Sequence, residues 1–159
     1  MLDDLFAQLR TATAPAEIEA LQNGIWQQWL SSGDATLDKD MEFSMRVMHA
    51  EEYTQAISLF TRLILLKPDF TEAWNKRATA YYLRGDFKAS LADIAETLRR
   101  EPRHFGALWG KVGILRQLGE YRRALRVLGR LAAICPHLPG LQEQEFSLRE
   151  RLEDGGALE

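Results

Sequence analysis

The chain has 159 residues, of which 46% are hydrophobic and 27% are charged, proportions typical of an ordinary globular protein with one core. Its net charge of −3 gives no reason to expect nucleic acid as a partner. The apolar run from Leu63 to Leu66 is far shorter than the roughly 20 residues that a membrane helix needs, so no membrane insertion is expected.

The N-terminal segment, residues 1–34, predicts a degenerate helical hairpin. Leu2 to Leu9 reads as a short amphipathic helix and Pro15 to Leu30 as a second one, since proline suits a first helical turn. We expect the apolar face of the second helix to pack on the repeat that follows. Core packing is the preferred role of its two tryptophans, and a ligand-binding aromatic box is the alternative. The face comprises Ile18, Leu21, Ile25, Trp26 and Trp29.

From residue 37 the sequence repeats itself with a period of 34 residues, which predicts three repeats at 37–70, 71–104 and 105–138. Aromatic, small, aliphatic and proline residues keep this step. Six or so matched columns do not arise by chance. The clearest columns are Tyr53, Phe87 and Tyr121; Ala56, Ser90 and Ala124; Ile57, Leu91 and Leu125; and Pro68, Pro102 and Pro136.

Each repeat reads as two helices, because its apolar residues recur at spacings of three and four. Gly85 and Gly119 lie between the two helices, where a residue with positive φ ends the first. A proline ends the second helix because it lacks the N–H and disfavours helical geometry in the residue before it.

A further helix is predicted over residues 138–154, where it would cap the apolar end of the third repeat. Residues 155–159 are expected to be a tail that resembles a cloning scar. The residues expected to cover the third repeat are Leu141, Phe146, Leu148 and Leu152.

The pattern resembles the tetratricopeptide-repeat (TPR) family, whose signature is W-x₂-L-G-x₂-Y in the first helix, followed by A-x₃-F and a closing P. Ala56, Phe60 and Pro68 match the second half, and Trp74 and Tyr81 match the first. The resemblance covers residues 37–138 and implies an all-α, right-handed solenoid of antiparallel helix hairpins. It also implies a non-enzymatic module, without a cofactor, that binds another protein. The first helix of repeat one departs from the signature at Asp40, Phe43, Ser44 and Val47.

Three segments are similar to those of small bacterial TPR proteins: Leu2 to Phe6, Ile25 to Trp29, and Pro102 to Leu108. This resemblance implies a bacterial envelope setting and brings no known ligand. The start of the chain has neither the basic residues nor the apolar run of a signal peptide. We therefore expect the bacterial cytoplasm for the chain as it stands, or the periplasm or envelope if a signal peptide precedes it.

In the resembled family, the first helix of each repeat lines a concave groove that binds the partner. Three methionines in repeat one would form a flexible, polarizable stripe there, which suits an apolar or amphipathic peptide or helix. Projecting the repeat register gives the candidate contacts: Met41, Met45, Met48, Asn75, Thr79, Tyr82, Trp109, Gly113 and Arg116.

Co-chaperone members of the family grip a terminal carboxylate with Lys, Asn and Arg side chains. The matching positions here are Met41, Met45, Lys76, Gly106 and Gly110, so the clamp is absent.

Glycines at 106, 110 and 113 remove side chains from one face of a predicted helix, at about 0.8–1 kcal/mol each relative to alanine. Close packing against a neighbouring element explains them, or a cleft for a ligand backbone does.

Charge is distributed unevenly along the chain. Residues 1–60 contain ten acidic and three basic residues, whereas residues 99–130 contain nine basic and two acidic ones. Arg122, Arg126 and Arg130 share one stripe of a helix, which we call the basic stripe. A solvated face is the simplest interpretation. The alternative function is a structural subunit of an assembly or a homo-oligomer that self-associates through this stripe.

No catalytic residue or metal site is predicted. His49, His104 and His137 are dispersed and have no carboxylate pair or nucleophile motif around them. The lone Cys135 has no second cysteine for a disulfide or a thiolate metal site.

Overall fold

The computed structural model describes residues 1–156, and the regular structure in this range is entirely α-helical. None of the helices in that part of the chain is long and apolar enough to cross a membrane. The helices are α1 (Leu2–Thr11), α2 (Pro15–Leu30), α3 (Ala35–His49), α4 (Tyr53–Leu66), α5 (Thr71–Arg84), α6 (Phe87–Arg100), α7 (Phe105–Gln117), α8 (Tyr121–Ile134) and α9 (Leu141–Gly156).

The chain divides into two compact units. Residues 26–110 form the first, which we call the central unit. Residues 1–25 and those from Lys111 onward form the second, which we call the terminal unit.

The central unit consists mainly of two successive helix pairs, α3 with α4 and α5 with α6, and α5 also packs on α4. Its core forms where the apolar faces of these helices meet, around the fully buried Phe60 and Leu63. Gly85 ends α5 with a φ of 90°, a left-handed conformation that glycine adopts without strain. At the matching position of repeat one, Glu51 has a φ of 64° although it carries a side chain.

A charged hydrogen-bond network joins the three helices α4, α5 and α6 of the central unit. Arg77 of α5 donates from Nε and Nη2 to both carboxylate oxygens of Asp93 in α6, at 2.7 and 2.8 Å. Its Nη1 donates to Thr61 Oγ1 of α4 at 3.1 Å. The hydrogen bond with Asp93 raises the pKa of the Arg77 guanidinium further above its ordinary value.

In the terminal unit, α8 packs against both α1 and α9. Phe6 and Leu9 are the buried residues of α1, and α1 also meets α2, where Leu5 lies 3.6 Å from a Cβ built on Gly24. Helix α1 thus packs on α8, far from it in the sequence. The sequence shows that α1 is amphipathic but not which distant helix covers its apolar face.

Helix α9 differs from its prediction in two respects. It begins at Leu141 instead of residue 138, because Gly140 adopts a φ of 89° and turns the chain just before it. It also continues to Gly156, into the segment expected to be a tail, and residues 157–159 lie outside the described range. Leu141 and Leu148 are buried, but Phe146 is 65% exposed and does not cover repeat three.

Candidate functional site

The candidate contacts on the first helices differ widely in exposure. Met41, Met48 and Asn75 are buried, which corrects the expectation that they are accessible to a partner. Five others are half-buried, and Arg116 alone among the nine is exposed. The half-buried residues are Met45, Thr79, Tyr82, Trp109 and Gly113.

The methionine stripe is mostly core. Met41 and Met48 are 1% and 4% exposed and belong to the same apolar cluster as Phe60. Leu30, at the end of α2, packs against this cluster, and so does the half-buried Met45. The flexible thioethers therefore fill the interior between α3, α4 and α2, and Met45 is the one member of the stripe near the surface.

A buried carboxylate lies at the start of α5. Both Glu72 and His104 have side chains that are 0% exposed, and Glu72 Oε2 lies 2.8 Å from His104 Nε2. Asn75 Nδ2 donates to Glu72 Oε1 at 2.9 Å, and Lys76 Nζ lies 3.6 Å from the same oxygen. A buried charge is tolerated only when it is paired and hydrogen-bonded, and these three neighbours meet that requirement.

The hydrogen bonds around His104 define its tautomer. The backbone N–H of Ala107 donates to Nδ1 at 3.1 Å, so Nδ1 acts as an acceptor and carries no proton. The proton of the neutral ring is therefore on Nε2, which donates to Glu72. His104 thus caps the start of α7 with one nitrogen and binds α5 with the other.

Two tryptophans of α2 cover this network. The Trp29 ring stacks on the His104 imidazole at 4.0 Å and 11°, and Trp26 meets the same imidazole edge-on at 5.3 Å. Trp26 also packs edge-on against Phe105 at 5.4 Å, and Lys76 Nζ lies 5.0 Å from the centre of a Trp26 ring. The tryptophans therefore pack at the junction of repeats two and three. These ring contacts lie outside repeat one, on which the two tryptophans were expected to pack, whereas Leu30 of the same helix does pack against the core cluster of that repeat.

The glycines at the start of α7 now have different explanations. A Cβ on Gly106 would stand 2.6 Å from the Trp26 ring, so this glycine is needed for close packing. A Cβ on Gly110 would meet Ile94 at 3.6 Å, which is an ordinary contact. Of the two explanations offered for Gly106, close packing is correct.

These residues would be hard to find by sequence reasoning. Glu72 and its partner His104 are 32 residues apart in the sequence, and His104 lies just outside a helix. The one usable signal was Gly106, because a glycine at the start of a helix often marks a close approach.

The basic stripe lies on α8 in the terminal unit. Arg122, Arg126 and Arg130 are all exposed, and no carboxylate lies within ion-pair distance of them among residues 1–156. Lys111 of α7 is nearby: burial first, and then the charges of Arg130 and Arg123, lower its pKa. This part of the terminal unit therefore carries uncompensated positive charge.

Comparison with known proteins identifies the family. The family model for the tetratricopeptide repeat matches residues 47–96 and 75–139. A TPR repeat-containing protein of Rhizobium etli is 36% identical over 151 residues, which cover 95% of this chain and 74% of that protein.

Two solved structures share the fold. The Sgt2 TPR domain from Aspergillus fumigatus aligns with a TM-score of 0.67 and 16% identity, over 78% of this chain and 83% of that one. The TPR2B domain of yeast Sti1, in its complex with pHsp70, aligns with a TM-score of 0.67 and 15% identity, over 74% and 99%. The predicted all-α solenoid of helix hairpins is confirmed, and the chain belongs to the tetratricopeptide-repeat family.

Proposed function

We propose that this protein is a non-enzymatic interaction module that binds a peptide or helix of another protein. Membership of the tetratricopeptide-repeat family supports this proposal, as does the fold shared with the TPR2B domain of Sti1, which was solved in complex with pHsp70. The pair most suggestive of chemistry, Glu72 and His104, is closed off from solvent, and its hydrogen bonds give it a structural role.

The proposed contact surface is the part of the first helices that α2 leaves uncovered. In the central unit it comprises Met45, Thr79, Tyr82 and Trp109, all half-buried. The observation that carries the proposal is that Met45 and Thr79, which occupy equivalent positions of repeats one and two, both remain accessible. Tyr82 and Trp109 lie at other first-helix positions, whose repeat-one equivalents Met48 and Met41 are buried. Gly113 and Arg116 occupy the corresponding register positions on α7 but belong to the terminal unit.

The chemistry of this surface favours an apolar or amphipathic partner. Tyr82 lies 5.7 Å from Phe87, and its neighbour Leu83 is 47% exposed. Aromatic and aliphatic groups of this kind anchor peptides through burial of apolar area, whereas a carboxylate clamp would need cations that these positions lack.

The test is partner capture from the source cells, followed by mass spectrometry, with variants of the bait. Met45→Ala with Tyr82→Ala should abolish capture of the specific partner without changing the helical circular dichroism or the melting temperature by more than a few degrees. The matched control is Arg122→Glu with Arg126→Glu on α8. Loss of the partner in this control alone would refute the first-helix surface as the binding site.

A further inference from the structure

In the central unit, the first helices α3 and α5 are each followed by a second helix that packs against them. Helix α6 packs on α5, and its Asp93 reaches Arg77, which in turn reaches Thr61 of α4. Arg77 thereby holds the second helix α6 in place beside α5 and links it to α4. Ile64 of α4 is 6% exposed and belongs to the core cluster that α3, α4 and α5 form.

Helix α9 continues the 34-residue register as another first helix. Glu145 follows Lys111 by 34 residues, just as Lys111 follows Arg77. Helix α9 packs on α8, as α5 packs on α4. Within residues 1–156, however, no second helix follows α9, so nothing in the described structure takes the place that α6 takes beside α5.

A groove lies between α8 and α9. The α9 side also carries an ion pair, with Arg149 donating to Glu145 at 2.8 Å. Ala132, the register equivalent of the buried Ile64, is only half-buried here. The groove is lined by Leu125, Leu128, Gly129, Ala132, Leu141, Glu145 and Arg149.

Gly129 makes this groove deeper at a cost that packing does not explain. It is exposed, it has no positive φ, and a Cβ built on it would meet nothing within 4 Å. Glycine within a helix costs about 1 kcal/mol relative to alanine. Gly106 differs from Gly129, because a Cβ on Gly106 would strike Trp26.

The α8 rim of the groove is positively charged. Arg122 and Arg126 lie on the side of α8 next to Gly129, since residues three or four apart share a helix face. Neither has a carboxylate partner among the described residues, whereas Arg123 pairs with Glu120 at 2.6 Å. The nearby Lys111 experiences the same excess of positive charge. A partner with acidic side chains on this flank would complement it.

We propose that the groove between α8 and α9 binds an amphipathic helix of a partner protein, packed as the second helix of a further repeat. An apolar side chain of that helix lies over Gly129, and acidic side chains face Arg122 and Arg126. The surface is separate from the first-helix positions of the proposed function and stands independently of them.

Two synthetic peptides test this proposal against the full chain. Both carry the same leucine and alanine stripe at helical spacing, and they differ only in having glutamate or lysine on the flanks. Isothermal titration calorimetry should show binding of the glutamate peptide and at least about tenfold weaker binding of the lysine peptide. Equal binding of both peptides, or binding of neither, would overturn the proposal.

Variants locate the site. Gly129→Leu fills the groove and should weaken the binding of the glutamate peptide at least about tenfold. Arg62→Glu changes an exposed residue of α4 and should leave the binding of this peptide unchanged. Gly129→Ala verifies that substitution at this position is compatible with folding. Undiminished binding to the folded Gly129→Leu variant would contradict the proposal. So would concentration-dependent dimerisation in sedimentation that Gly129→Leu abolishes, since the occupant would then be a second copy of the chain.

Discussion

The ring of Trp26 lies 2.6 Å from the point where a Cβ on Gly106 would stand. Gly106→Ala should therefore destabilise the protein by about 1–3 kcal/mol, because overpacking outweighs the gain in helix propensity. Urea unfolding followed by circular dichroism measures the change. Gly129→Ala is the matched control, and it should stabilise by about 0.5–1 kcal/mol because the new methyl group meets no neighbour. Equal effects of the two substitutions would contradict the packing role of Trp26.

His104 should be observed as the neutral tautomer with its proton on Nε2. Long-range ¹H–¹⁵N correlation spectra distinguish the two ring nitrogens directly. His104→Phe keeps an aromatic ring beside Trp29 but leaves the Glu72 carboxylate buried without its imidazole donor. We expect a loss of about 3 kcal/mol in the free energy of unfolding. A proton observed on Nδ1 would refute the hydrogen-bond assignment.

Asp93→Asn should show that the link between α4, α5 and α6 is structurally important. The side chains of Arg77 and Asp93 are 16% and 6% exposed, so removing one charge leaves the other poorly solvated. We expect a loss of about 3 kcal/mol. Glu120→Gln breaks the exposed pair with Arg123 and should cost less than about 1 kcal/mol in the same denaturation experiment. If the two losses are alike, the link is no more than a surface ion pair.

Glu51→Gly should stabilise the turn between α3 and α4. Glu51 has a φ of 64°, a conformation that costs a residue with a side chain about 1 kcal/mol. Calorimetry should show a higher melting temperature for the variant. The reverse change at the equivalent position, Gly85→Ala, should lower it by a similar amount, since Gly85 has a φ of 90°.

Lys111 should make stability depend on pH at the alkaline end. Burial and the charges of Arg130 and Arg123 lower its pKa in the native state, so the unfolded chain binds this proton more tightly. The charged form therefore opposes folding at neutral pH, and the penalty is lost as pH rises through the native pKa towards the unfolded value of about 10.4. Lys111→Gln should raise the melting temperature at pH 7, and the gain should shrink by pH 10. The control is Lys88→Gln, which removes the charge of an exposed lysine.

The helices followed from local signals in the sequence. Turn glycines and terminal prolines act on the backbone within a few residues, so they can be recognised without knowing the fold. Helices α3 to α8 follow the 34-residue period that these residues mark. The packing of α2 at the junction of repeats two and three does not follow from such local signals. Trp26 and His104 are 78 residues apart, and neither residue type nor spacing specifies that their rings meet.

For the candidate site, too, the sequence predicted the positions of residues along the helices but not their burial. The repeat register identified Met41, Met48 and Asn75 as first-helix positions facing a groove, but it could not show that these side chains are buried in the folded chain. The prediction that Phe146 covers repeat three was wrong for the opposite reason. Its sequence context suggested a core position on α9, yet it is turned to solvent while Leu141 and Leu148 face α8.

The position of Trp26 and Trp29 determines how this protein can be divided. A fragment cut at the repeat boundaries, residues 37–138, would expose the Glu72 carboxylate and His104 to water and open a hollow beside Gly106. Such a fragment would lose a wall of its core and present an artificial aromatic-binding cavity. In a screen of truncated baits we expect it to capture aromatic peptides in that cavity, which Trp26 and Trp29 fill in the intact chain.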